Sequence, residues 1–461
     1  MSQPNSAAGD GAPAITRRLG AFVAQHPSAG WPRHVDHEAG RTLLNWLGCA
    51  IGASRHPAVE AALAAARELA PSAQATVLGR ADRVDMGSAA LVNGIASHTL
   101  DFDDTHLRTI IHPAGPVASA VLALAEHGGM SGRAIIDAVI IGIDVECRIG
   151  NAIYPDHYDR GWHITGSTGM LGAAAGSARV LGLDADRTTM ALGIAASQPT
   201  GVREQFGSMT KALHVGAAAR IGLMAALMAK HGYTSSERAL EAPRGLLQTF
   251  STRHDWREVE DALGERFEIS TNTYKPFACG IVIHPSIDGC IQLRDRISGE
   301  DIERVDLVVH PLVLELTGKR SPRRGLEGKF SVYHACAAAL LSGMAGEAQF
   351  SDACVNDRQV MALRDRIHAR ADASMAEDSA DITVSMRDGR TLNQRIEHAI
   401  GSLERPMTDA DLRQKVHGLV DPVLGAAAAT ALFDLCMELP RAPNVRLLIA
   451  AATPDAHRRT S

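Results

Sequence analysis

The chain has 461 residues, 46% hydrophobic and 21% charged, with 46 Lys and Arg against 52 Asp and Glu and a formal net charge of -6. That length exceeds one small core, so two domains are expected, one of them interrupting the other. The acidic balance supplies no basic stripe for nucleic acid, so an anionic partner would need a locally positive pocket.

In chain order, residues 1–14 have neither a basic start nor an apolar run, and read as a disordered tail rather than a signal peptide. From residue 15 to 269 the pattern is helical, with helix-period apolar stretches at Thr42–Ile51, Val59–Leu69, Met86–Ile95, Pro116–Ala125, Arg133–Ile149, Gly169–Leu181 and Ala217–Met228. These stretches are rich in Ala and Gly, and small side chains let helix axes approach closely. Gly166, Gly169, Gly172 and Gly176 fit such packing better than a phosphate loop, because no strand precedes them and no Gly-Lys-Ser/Thr follows. Between 270 and 401 the pattern becomes α/β. Val305–Val309 reads as a strand, Lys329–Leu341 as a helix, and Ile382–Met386 with Thr391–Ile396 as a hairpin around Asp388-Gly389. Residues 402–452 turn helical again, and 453–461 form a polar tail. The expected fold class is mainly α: a helical bundle built from both ends of the chain, with an inserted α/β lid domain.

The most apolar stretch, Ala134–Val145, carries Asp137 and Asp144 and is too short to span a bilayer, so no membrane partner is expected. Seven scattered cysteines without a C-x-x-C pair read as reduced thiols in a cytoplasmic protein, not as a metal or iron–sulfur site.

Five segments carry candidate chemistry. In His98-Thr-Leu-Asp101-Phe-Asp103-Asp104-Thr105-His106, followed by His112, three carboxylates lie within four residues. They suit a solvated loop, a divalent metal, or an active site in which cations pair them. Asp101-x-Asp103-x-Thr105 also matches the aspartate-nucleophile signature of metal-dependent phosphatases, although that signature should follow a strand and Asn93–His98 reads as a helix. His163, in Gly161-Trp-His-Ile-Thr165, precedes a helix, where it serves either as an acid or base or as part of a capping loop. Lys211 and His214 share one face of a helix start, as a carboxylate clamp or as a solvated first turn. Tyr274-Lys275-Pro276-Phe277-Ala278-Cys279 lies at the domain junction, as a pocket wall or a stiff linker, with Cys279 read as a buried thiol. Tyr333 is a proton donor or a packed helix-face tyrosine.

Together these segments resemble the MmgE/PrpD family, above all in Ala90-Leu-Val-Asn-Gly-Ile-Ala-Ser-His-Thr-Leu-Asp-Phe-Asp-Asp-Thr-His106, Gly161–Thr165 and Thr210-Lys-Ala-Leu-His-Val-Gly216. The resemblance runs from about Thr16 to Arg446. It implies an enzyme that moves protons next to a carboxylate of a small di- or tricarboxylate, with no metal or organic cofactor and as a homodimer. It implies catalytic roles for Asp101, His112, His163 and Tyr333, and substrate contacts for Thr105, Lys211 and Lys275, with Asp104 and His214 nearby. The expected reaction is a 2-methylcitrate-type dehydration. Cis-aconitate-type decarboxylation and iminodisuccinate-type epimerisation are the alternatives, and a non-catalytic carboxylate-binding protein is a remote one. Asp103 stands where dehydratases of this kind tend to have Asn. Gly207–His214 looks more like the epimerase and decarboxylase branches.

Overall fold

The gap between two helices is set by what projects from them, and in this protein that is often only hydrogen. In the computed structural model, which describes residues 14–28, 30–69, 72–294, 296–297 and 301–454, the first part of the chain forms a helical body. Its helices are α1 (Ile15–Gln25), α2 (Arg33–Gly52), α3 (Pro57–Leu69), α4 (Met86–Thr99), α5 (Ala114–Gly128), α6 (Gly132–Ile153), α7 (Ile164–Val180), α8 (Ala185–Ala196) and α9 (Thr210–Lys230). The expected tail up to residue 13, and the far tail from 455, lie outside the described residues.

Helix α9 packs against α4, α5, α7 and α8. It is the single helix among the described residues that is long and apolar enough to cross a membrane, but most of it is buried in the body. At its crossing with α4 the backbones touch: a Cβ on Gly94 would stand 2.7 Å from the Gly216 Cα. Gly169 and Gly172 do the same for α7, where a Cβ would meet Pro116 at 2.5 Å and Glu146 at 2.8 Å respectively. Close helix packing is therefore what these glycines serve.

Two short strands tie the body to the later chain. β1 (Asp104–His106) pairs antiparallel with β2 (Asn272–Tyr274), Asp104 opposite Tyr274. The strand just after the expected break at residue 270 is thus hydrogen-bonded to the body. Next come α10 (His284–Arg294), β3 (Ile302–Val309), α11 (Pro311–Thr317), α12 (Val332–Ser342), α13 (Arg358–Arg364), β4 (Ile367–Ala371), β5 (Ala380–Met386) and β6 (Thr391–Ile396). The sheet order is β4-β3-β5-β6, with β3 parallel to β4 and antiparallel to β5. β5 and β6 form the expected hairpin, and Gly389 takes φ +87° at its turn, where a side chain would be strained. β4 was not expected, because Ile-His-Ala-Arg-Ala carries one β-branched residue and little alternation.

The expected helix from Lys329 to Leu341 is corrected. Ser331 caps α12 by accepting the His334 N–H, so the helix begins at Val332 and Lys329 lies in the preceding turn.

Finally α14 (Asp409–Leu424) and α15 (Ala426–Met437) return to pack on α2. The molecule is mainly helical with small sheets.

Candidate active site

The C-terminus of α4 delivers the first functional group. Asp101 follows the helix by two residues and adopts φ +50°, a left-handed conformation that Asp tolerates better than most residues. Its carboxylate is buried. Oδ1 accepts from Lys211 Nζ at 2.7 Å and Lys275 Nζ at 2.9 Å, and Oδ2 has no partner. Lys211 comes from the first turn of α9, and Lys275 directly follows β2. Burial opposes charge on Asp101, but the two ammonium groups outweigh it and hold the carboxyl well below its usual range. Burial lowers Lys211, while Asp101 and Asp103 raise Lys275 against its burial. Lys211 and Lys275 thus place two cations on the Asp101 carboxylate, with the Asp103 carboxylate also acting on both.

Beside this cluster stand three imidazoles, with ring centroids 4.7 Å apart for His98–His112 and 5.7 Å for His98–His163. Asp103 holds one of them and faces another: its Oδ2 lies 2.6 Å from His98 Nδ1, and its Oδ1, which has no hydrogen-bond partner, 3.4 Å from His112 Nδ1. His112 Nδ1 is also 2.7 Å from the Asp104 carbonyl, which can only accept. The proton of neutral His112 therefore sits on Nδ1, leaving a bare lone pair on Nε2. Burial pushes His112 down to about 3, which keeps the ring neutral.

His163 is the N-cap residue of α7, and its Nδ1 lies 3.0 Å from His214 Nδ1. That contact needs one proton between the two nitrogens. Whichever ring donates it presents a basic Nε2 on its other side. Burial lowers both rings, His214 to about 4. Phe206 packs perpendicular to His163, and Lys211 Nζ lies 5.2 Å and 5.3 Å from the Phe206 and Phe330 ring centres.

Asp101, His112, His163, Lys211 and Lys275 line one cavity of about 30 Å³, together with Tyr158, Phe206, Phe330 and an aliphatic wall. Leu316 and Thr317 of α11, and Phe330 before α12, close it from the sheet-bearing segment. Four expected site residues do not line it, among them His214, which is held against His163. Thr105 is behind His112, its hydroxyl 3.4 Å from His112 Nδ1. Asp104 is committed to structure: its Oδ2 accepts from the Ala114 N–H at 3.0 Å and Asn272 Nδ2 at 2.8 Å. Burial, with the Asp103 charge, pushes its carboxyl up to about 7. Tyr333 does not line the cavity; its ring lies under the Arg320 guanidinium at 4.2 Å.

Other groups at the site were not singled out from sequence. His98 and Asp103 were visible only as parts of the acidic string, although a His five residues before a carboxylate can reach back to it across a helix end. Lys329, freed by the cap at Ser331, donates to the Leu100 and Ala278 carbonyls at 2.6 Å and 2.8 Å. Lys415 of α14 donates to the carbonyls of Phe102 and Lys275, joining the acidic segment to Lys275. It lies 140 residues from Lys275 in the chain, and nothing local announces it.

The phosphatase reading is corrected. Asp101 follows a helix rather than a strand and is paired with two lysines, while Asp103 is bonded to His98 and faces His112. Cys279 is buried, and burial raises its thiol far above the range of a nucleophile. His98, Asp103 and His112 have the spacing of a three-ligand metal site. Their fit is poor, because His98 Nδ1 is committed to Asp103 Oδ2 and His112 Nδ1 to the Asp104 carbonyl, and Lys211 and Lys275 add positive charge beside them.

The MmgE/PrpD N-terminal domain model matches residues 17–259, and the MmgE/PrpD C-terminal domain model matches residues 277–439. The chain is 27% identical to the cis-aconitate decarboxylase-like protein oryM of Aspergillus oryzae, over 95% of this chain and 96% of that one. It is 27% identical to cis-aconitate decarboxylase of Aspergillus terreus, over 91% of each chain. Against the Homo sapiens cis-aconitate decarboxylase the identity is 25%, over 87% of this chain and 86% of that protein.

Proposed function

Because the chain belongs to the MmgE/PrpD family, we propose that it is a cofactor-independent decarboxylase of a cis-aconitate-like polycarboxylate. The observation that carries this reading is the pairing of Lys211 and Lys275 on Asp101 beside the His112 and His163 rings. The relatives' decarboxylase activity moves the choice of reaction away from 2-methylcitrate dehydration, the reading favoured on sequence.

Cis-aconitate carries one carboxylate on a methylene beside its alkene. When that carboxylate leaves as CO2, the electrons of the broken C–C bond form a new alkene. The old alkene takes up one proton at its far carbon. The protein must therefore hold the remaining carboxylates and deliver that proton. In this mechanism Lys211 and Lys275 share themselves between Asp101 and the substrate carboxylates, stabilising charge in a site that excludes water. Burial keeps His163 and His112 neutral. A bound polyanion raises both, so that one becomes the proton donor. His214 holds the His163 proton arrangement, and Asp103 orients His98 and His112. The segment carrying α11 and α12 acts as the lid. The homodimer implied by the family resemblance belongs to the same reading, and sedimentation velocity tests it.

The purified protein is offered cis-aconitate, 2-methylcitrate and iminodisuccinate in parallel. CO2 release from cis-aconitate with neither water loss nor inversion in the other two is the expected result. Alkene formation from 2-methylcitrate without CO2 would replace this reading with the dehydratase one. Binding of all three without turnover would leave a carboxylate-binding protein.

A further inference from the structure

The catalytic cavity has a neighbour. Ile110, Ile281 and Val282 line it, and the same three residues also line a second, wider cavity of about 400 Å³. The inner space, about 30 Å³, has room for about one water, so a bulky substituent on a substrate would have to pass this aliphatic wall. Ile110 stands in it at φ +59°, a conformation that β-branched residues rarely adopt. The backbone holds it there: the Ile110 N–H donates to the His106 carbonyl at 2.9 Å, and the His106 N–H to the Ile111 carbonyl at 2.7 Å.

The outer cavity differs from the inner one in charge. Leu107, Pro285, Ala399 and Ile400 supply apolar surface, whereas Glu377, Asp378 and Glu404 contribute three carboxylates, two of which share one histidine, His398, 2.6 Å from Asp378 and 3.7 Å from Glu404. Arg108 is exposed and already paired with Glu258 at 2.6 Å, and burial holds the neighbouring His284 down at about 3. A further carboxylate is repelled there, whereas an uncharged chain removes apolar surface from water.

We propose that the outer cavity is an extension of the substrate site that accepts an uncharged alkyl substituent on the polycarboxylate, with Ile110 and Val282 controlling its passage. This inference rests on the reading of the inner cavity as a carboxylate site, and it is tested by binding rather than by turnover. Succinate and butylsuccinate are titrated against the full-length protein by calorimetry. Butylsuccinate is expected to bind at least tenfold more tightly. Ile400→Trp, which fills the outer cavity, and Leu403→Asp, which adds a charge at an exposed position of its lining, should each abolish that gain and leave succinate within twofold. Leu403→Asp keeps the test valid where the Trp variant does not fold. Equal affinities in the wild-type protein, or a gain that survives the substitutions, would overturn the inference. Decarboxylation of cis-aconitate without any alkyl preference would overturn it too, yet leave the proposed function intact. Alkyl-dependent binding without decarboxylation would do the reverse.

Discussion

Asp103 hydrogen-bonds His98 and places its charge 3.4 Å from His112 without lining the cavity itself. Asp103→Asn keeps its shape but removes the charge that orients His98 and His112. The expected result is a lower kcat, by roughly 10- to 100-fold and so less than the 10²–10⁴-fold loss of an acid–base group itself, with KM little changed. An unchanged kcat in steady-state assays would remove Asp103 from the mechanism. Deeper in the body, Glu146 is fully buried and neither of its oxygens has a hydrogen-bond partner. Burial, and then the nearby Asp104, push its carboxyl well above the ordinary value. A carboxyl raised on folding contributes stability that is complete below its unfolded pKa and is lost as pH rises through the folded one. Asp104, raised from 3.8 to about 7, has the same sign. Glu146→Gln is neutral at every pH, so it should flatten the loss of stability as pH rises above the ordinary glutamate range and stabilise the protein at alkaline pH by about 1–3 kcal/mol. Thermal melts from acid to alkaline pH measure this, and a variant that melts lower than wild type at every pH would contradict it.

At the scale of elements, the crossing of α4 and α9 positions most of the charge in the site. Asp101 lies two residues past the end of α4 and Lys211 in the first turn of α9, so the contact of Gly94 with Gly216 sets the distance between the two partners. Gly94→Val must push the helices apart. Overpacking of this kind costs about 1–3 kcal/mol. A weaker Lys211–Asp101 pair should lower kcat/KM beyond what the lost stability explains, and activity measured well below the melting temperature separates the two effects. The helical pattern of both elements was legible from apolar spacing. The cap at Ser331 also had a sequence signal, a serine before an apolar run, but the run appeared to begin two residues earlier and drew Lys329 into the helix. β4 had no comparable signal, because its pairing with β3 comes from the sheet rather than from its own residues.

For the molecule as a whole, the return of the C-terminal helices completes the site. Lys415 reaches from α14 to Asn45 Oδ1 at 2.7 Å, to the Phe102 carbonyl, and to the Lys275 carbonyl at 2.8 Å. One ammonium thus ties α2, the acidic segment and the residue that follows β2. Lys415→Met keeps the stem and removes three donors, leaving buried acceptors unpaired. A loss of about 2–4 kcal/mol is expected, together with a rise in KM as Lys275 loosens. Chemical denaturation and steady-state kinetics report the two effects, and an unaltered KM would show that Lys275 needs no such tie.

Composition and local pattern determined the chemical types at the site and the helical character of the chain. The Asp101–His112 string, His163, Lys211 and Lys275 could be picked out because each stands beside a helix end or a domain junction, where polar groups break an apolar period. Tertiary structure alone decided which of them meet. Asp101, His112, His163, Lys211 and Lys275 face one cavity, Asp104 and Thr105 turn away from it, and Tyr333 lies under Arg320. The reason is physical. A residue's chemistry travels with its side chain, but a pocket is a property of distances between elements far apart in the chain. Those distances are set by glycine contacts such as Gly94 on Gly216 and by cross-chain ties such as Lys415 on Lys275.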